Sequence, residues 1–174
     1  MKTSALLISA FLFAAPALAQ EMRHAPANCP ADAKPLPAAL SGWADKASLD
    51  AAANAAGLNA ARLTPGKAVA VNLRHAPKMR YVAQPERKSG TTSYGGLLQL
   101  PITQAGTYQV NLSSGAWIDM LKDGAVVPSG VHSHGLPCSD IRKTVQFPLQ
   151  PGQYVIQLSR NNDPSIAIMV TRVP

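Results

Sequence analysis

The sequence predicts a mainly β protein: an antiparallel β-sandwich or jelly-roll of about eight or nine strands, preceded by a short helical N-terminal arm. Three observations predict it. From Lys67 onward the chain falls into short runs divided by Pro, Gly, Asn and Asp, and several of them alternate apolar with polar residues. Asp123-Gly124 stands between the apolar runs Ala116–Leu121 and Ala125–Val127, a strong signal for a two-residue hairpin turn. No amphipathic helical pattern separates the strands, so the crossover helices of a parallel sheet are missing.

The elements follow in chain order. Lys2, the apolar run Ala5–Ala15, Pro16 and Ala17-Leu18-Ala19 read as a secretory signal peptide over residues 1–19, cleaved before Gln20. The apolar run is too short to span a bilayer, and nothing after it is apolar enough to try. Residues 20–66 form a Pro- and Ala-rich arm. Within it, Pro37–Trp43 suits a short helix begun at proline. Ser48 suits the N-cap of a second helix running to about Ala56, with Gly57 as its stop.

The sandwich is expected over 67–174. Ala68–Leu73 is a strand, Ala76-Pro77 turns it, and Met79–Ala83 returns. Pro85–Thr92 is a polar loop. Three further hairpins are expected, and two of them are copies, Gln99–Ser113 and Gln146–Ser159. With Thr103 removed they align as Q-[LF]-P-[IL]-Q-x-G-x-Y-x-[VI]-x-L-S. In each, a strand leads through a turn ending in glycine to a strand whose Tyr, Val or Ile, and Leu share one face. Proline in the first strand of each copy marks an edge or a bulge. Ile166–Val173 is the last strand.

Composition narrows the function. The formal net charge of +7 falls only to +6 when Lys2 leaves with the signal peptide. Such a balance suits nucleic acid, anionic lipid or an acidic polymer, and export excludes nucleic acid. The densest basic stretch, Arg74, Lys78, Arg80, Arg87 and Lys88, lacks interleaved aromatics and reads as a solvated face. The expected setting is periplasmic or secreted, with an unidentified periplasmic protein, polymer or small ligand as partner. Cys29 and Cys138 are the only cysteines, and a pair in an exported chain is expected to form a disulfide.

One segment concentrates chemistry-bearing residues, Val131-His132-Ser133-His134-Gly135-Leu136-Pro137-Cys138-Ser139-Asp140. In an extended chain His132 and His134 point the same way. With Asp119, Asp140 or a Cys138 thiolate they would make a three-ligand set for Zn, Cu or Fe. The plainer alternative is a polar loop tip whose cysteine is spent on the disulfide. His24 and His75 recur in Arg-His-Ala-Pro, near Met22 and Met79, and read as turn positions. Asp119 shares a strand face with Trp117 and Leu121, expected to be solvated, with Trp117 partly covered by the helical arm. Arg142 and Lys143 follow the loop and, with Trp117, are candidate ligand contacts. No Gly-x-Ser-x-Gly elbow, clustered carboxylate pair or phosphate-binding glycine loop is present, so no catalytic residue is assigned.

At Gly106-Thr107-Tyr108-Gln109-Val110, Trp117-Ile118-Asp119 and Gly152–Leu158 the chain resembles the pre-peptidase C-terminal type of β-sandwich over roughly residues 67–173. Those domains accompany secreted enzymes as accessory or binding modules; the resemblance implies no catalytic domain within this sequence, so an accessory role is expected to need a separate partner. Ser114–Asp119 together with Cys138–Lys143 also resembles short exported bacterial proteins that sometimes carry a homogentisate dioxygenase label. That enzyme is a longer cytoplasmic cupin holding iron by two histidines and a glutamate. The glutamates here, Glu21 and Glu86, are expected outside the site. The leading expectation is therefore a non-enzymatic binding or accessory module presenting loop 128–142. The alternative is a small metal-binding protein, a copper or zinc handler or a non-haem iron oxygenase, using His132 and His134.

Overall fold

The structure, a computed structural model, describes Cys29 and residues 35–174. The expected signal peptide and His24 lie outside the described residues. The protein is mainly β, as expected. Its strands are β1 (Ala47–Asp50), β2 (Ala68–Asn72), β3 (Arg74–His75), β4 (Tyr94–Ile102), β5 (Gly106–Leu112), β6 (Trp117–Lys122), β7 (Ala125–Val127), β8 (His132–His134), β9 (Lys143–Leu149), β10 (Gly152–Asn161) and β11 (Ser165–Arg172). They form a six-stranded sheet in the order β1-β2-β11-β5-β9-β8 and a five-stranded sheet in the order β3-β4-β10-β6-β7. Among these strands only the β1–β2 pair is parallel, alongside one isolated parallel bridge, Arg62–Gln99.

Eleven strands exceed the eight or nine expected because β1, β3 and β8 are short edge pieces with no period-two pattern of their own. The expected helix from Ser48 is instead β1 followed by a 3-10 turn, Ala55–Ala60. Alanine has the highest helix propensity, but tertiary pairing overrides propensity here. Here Leu49 pairs with Val71, Asp50 accepts from the Asn72 side chain at 2.8 Å, and Arg74 approaches Asp50 at 3.9 Å. The expected return strand Met79–Ala83 is likewise irregular. Arg74–His75 pairs with β4, and the chain then runs as a loop over the five-stranded sheet.

The two sequence copies are not hairpins. Each carries the chain from one sheet to the other, β4 to β5 in the first copy and β9 to β10 in the second. The copies interlock, since β4 pairs with β10 and β5 with β9. Equivalent positions face each other in register: Gly106 with Leu149 and Gly152 with Ile102, Tyr108 with Phe147 and Tyr154 with Leu100. The copies are thus related by a pseudo-two-fold through the sandwich. The shared glycines have φ of +159° and +151°, which L side chains rarely adopt. The shared tyrosines close the corners: Tyr108 Oη donates to the Gln104 carbonyl and Tyr154 Oη to the Gln150 carbonyl, each at 2.9 Å. Pro101 and Pro148 lie beyond the reach of the short outer strands β3 and β8, where the absent N–H breaks no ladder on that side. Replacing Tyr108 by Phe is expected to cost about 1 kcal/mol, the net worth of one hydrogen bond, and Tyr154→Phe about 1–2 kcal/mol, because the Tyr154 hydroxyl also accepts from the Gln150 amide at 3.1 Å. Urea unfolding of the two variants checks it.

Between the sheets lies the main core, with Leu98, Leu100, Ile156 and Leu158 facing Val110, Leu112, Phe147 and Ile168. The N-terminal arm packs on the outer face of the six-stranded sheet. There Leu40 and Trp43 of the 3-10 turn Ala38–Trp43 meet Ala68, Ile141 and Met169. This is the place of the arm, rather than over Trp117. The Asp123-Gly124 hairpin forms as expected between β6 and β7, with φ of +52° and +80° at its two turn residues. Among the described residues no helix is long and apolar enough to cross a membrane.

Candidate functional site

The disulfide Cys29–Cys138 is formed, with Cα atoms 5.4 Å apart. It points to an oxidising, extracytoplasmic setting. The same corner is held by Asp140, which accepts from the Trp43 indole and pairs with Lys46 at 3.6 Å. Lys46 in turn stands over the Trp43 ring, 4.9 Å from its centre. Asp140 therefore clasps the arm to the segment 136–142. Cys138 is committed to sulfur and leaves no thiolate for a metal.

His132 and His134 stand exposed on β8, the outermost strand of the six-stranded sheet. They alternate with Ser133, whose hydroxyl bonds to Thr144 at 2.7 Å, so both imidazoles share one face as expected. Their partners in register are Val145 and Lys143, not acids. Asp119 lies on the five-stranded sheet and Asp140 at the disulfide corner. Among the described residues no three His, Cys, Asp or Glu side chains converge as a metal set would require. The set His132, His134, Asp119 and Asp140 is thus dispersed, because β8 and β6 belong to different sheets and Asp140 sits in the loop at the disulfide corner.

Asp119 also departs from expectation. Its face is covered, and the residue is 3% exposed. Register explains this: Trp117, Asp119 and Leu121 pair with Ser159, Gln157 and Val155 on the outer face of the five-stranded sheet, and the loop 79–93 lies across it. Asp119 accepts from the Trp117 indole at 2.9 Å and from Gln157 Nε2 at 3.2 Å. Gln157 pins the loop above, accepting from the Val82 amide at 3.1 Å and donating to the Ala83 carbonyl at 3.1 Å. Asp119 is a positioning residue for Trp117 and the loop. Beneath the same loop, burial pushes the Tyr81 phenol above the usual tyrosine range; Ser89 opposes the shift and the Asp119 charge adds to it. A cavity of about 610 Å³ lies within the loop, lined by Met79, Tyr81, Pro85 and Ser89 among others.

Trp117 and Lys143, both candidate contacts from sequence, come together with residues not expected beside them. The Lys143 ammonium stands 5.2 Å and the Arg87 guanidinium 5.0 Å from the centre of the half-buried Trp117 ring. Lys143 donates to the Ala116 carbonyl at 2.9 Å. Burial, and then the charge of Arg87, hold its pKa below the usual lysine range. Two cavities open on either side of this pair. One, about 230 Å³, is lined by Trp117, Lys143, His132, Ser129, Val145 and Glu86. The other, about 380 Å³, is lined by Trp117, Lys143, Arg87, Arg160, Gly115 and Asn162.

His132 is therefore a wall of the Trp117 cleft, while Arg142 stays exposed outside both cavities. Glu86, expected outside the site, lines the first cavity. Arg87 reads in sequence as part of a solvated basic stretch. Arg160 has no sequence signal, since its placement depends on an irregularity in the β10 ladder between Leu158 and Asn161. Compared with protein-family models and with curated proteins, the chain matches none.

Proposed function

We propose that the protein is a non-enzymatic binding or accessory module of the periplasm or another extracytoplasmic space. It presents the edge segment 128–142, and the Trp117 cleft beside it, to a ligand or partner. The observation that carries this reading is the Trp117–Lys143 pair open on two cavities, one of them walled by His132 of that segment. An aromatic flanked by cations is a recognition surface, combining apolar area with directed charge. The frame around it is rigid: Asp119 and Gln157 hold Trp117 and its covering loop, and the disulfide with Asp140 holds the far end of the segment.

The test is a photo-crosslinking residue placed at exposed Val131 in the exported protein, with the same residue at Ser48 on β1 as control. Ser48 lies at the opposite edge of the same sheet. A discrete adduct with an envelope protein or polymer from position 131, absent from position 48, is the expected result. Identical adducts from both positions, or none from 131, would overturn the reading.

A further inference from the structure

We propose that the cavity between Arg87, Lys143 and Arg160 binds a tetrahedral oxyanion, a phosphate or sulfate group, against the wall formed by Trp117. This rests on the reading of the Trp117 cleft as a binding site and names the chemistry of its ligand.

Three elements far apart in sequence deliver the cations: the loop 79–93, the first residue of β9 and the distal end of β10. The remaining lining residues are Trp117, Gly115 and Asn162, so the cavity wall contains no carboxylate. Among the described residues none of the three cations has an acidic partner within 4 Å, the two ion pairs being Lys46–Asp140 and Arg74–Asp50. Lys143 is half-buried and Arg87 and Arg160 are exposed. The nearby carboxylates, Asp119 on the Trp117 indole and Glu86 in the adjoining cavity, lie outside this wall, so the three cations share a face with room for an anion.

Arg160 adds an independent observation. Its φ is +58°, in the left-handed region that a long side chain seldom occupies. It lies where the β4–β10 register slips between Leu158 and Asn161. Ladder irregularities of this kind re-aim a side chain, and they gather beside functional sites. Without the slip, residue 160 would continue the alternation of β10. With it, the guanidinium comes to the same cavity as Lys143 and Arg87. Beneath them Ser159 is fully buried, and its hydroxyl has no hydrogen-bond partner.

The ligand class follows from the donors. Two guanidinium groups present several N–H donors in fixed planes, the Lys143 ammonium adds those not spent on the Ala116 carbonyl, and Asn162 adds a carboxamide. An anion with acceptor oxygens on every side satisfies more of these than a flat carboxylate does. Bound there, it would also relieve the repulsion between Lys143 and Arg87.

The test is titration of the purified mature protein with inorganic phosphate, inorganic sulfate and sodium chloride at matched ionic strength. The readout is the indole N–H resonance of Trp117, assigned with Trp117→Phe. Saturable shifts with phosphate or sulfate, at least tenfold tighter than any with chloride, are expected. Arg160→Asn, which tolerates the left-handed backbone, and Arg87→Gln in the exposed loop should each weaken binding about tenfold while the protein stays folded. A response equal to that of chloride, or unchanged affinity in both folded variants, would overturn the proposal. Co-sedimentation with phosphatidylglycerol vesicles would assign the anion to a lipid headgroup, and binding of glycerol phosphate without it to a soluble source. Crosslinking at Val131 without oxyanion binding would leave the module reading standing and remove this one; oxyanion binding without crosslinking would keep the Trp117 cleft as a ligand site and remove only the macromolecular partner at segment 128–142.

Discussion

Replacing Cys29 and Cys138 together by serine is expected to lower the stability of the protein by about 3–5 kcal/mol, on the chain-entropy account of a long closed loop. The bond joins residues 109 positions apart, so it restrains most of the unfolded chain. Its loss also frees the corner where Asp140 meets Trp43 and Lys46. Those contacts remain available, but the segment 136–142 and the arm then have to find each other without a tether. Urea unfolding of the double variant, beside the wild type with and without reductant, measures the effect. A change below 1 kcal/mol would mean that the clasp around Asp140 carries the corner and the disulfide adds little. The Trp117 indole resonance should stay in place in the double variant, because its supports lie on the other sheet.

Asp119→Ala is expected to cost about 2–4 kcal/mol and to loosen the recognition surface at the same time. The substitution removes the acceptor of both the Trp117 indole and Gln157 Nε2, two donors that cannot readily find others on a covered face. Burying a polar group without its partner costs more than the bond itself contributes. The loop 79–93 should then gain hydrogen exchange at Val82 and Ala83, whose amides depend on Gln157. Arg87 rides on that loop, so oxyanion affinity should fall as well. Asp119→Asn keeps one acceptor oxygen but sets its amide N–H2 against the second donor, so it should recover only part of the loss. Equal losses in the two variants would show that both acceptor oxygens are needed to hold the site.

The contrast between these substitutions follows a division within the molecule. The six-stranded sheet carries the arm on its outer face and is tied by covalent chemistry. The five-stranded sheet carries the loop 79–93, held by a polar network of Asp119 and Gln157. Between their free edges runs the segment 128–142. His132 belongs to both the segment and the cleft, and an extended Val127-to-Lys143 connection is what brings the two together.

Local sequence determined what depends on neighbours in the chain. The Asp123-Gly124 turn, the glycine and tyrosine of each copy, and the alternation along β5 and β10 all express short-range backbone and side-chain preferences. The disulfide was legible because two cysteines allow one pairing. Tertiary structure decided the rest. A copy of strand, turn and strand reads the same whether its strands pair with each other or separate into two sheets. Only the interlocking of both copies selects the second arrangement. Alanine content marks Ser48–Ala56 as helical, yet pairing with Val69–Asn72 makes Ala47–Asp50 a strand. Asp119 looked solvated because no local pattern shows which loop will cover a sheet face. The cations at Trp117 come from three distant elements, and Arg160 reaches them through a slip in ladder register. Such a site is a property of long-range pairing, where one residue of register decides which face a side chain occupies.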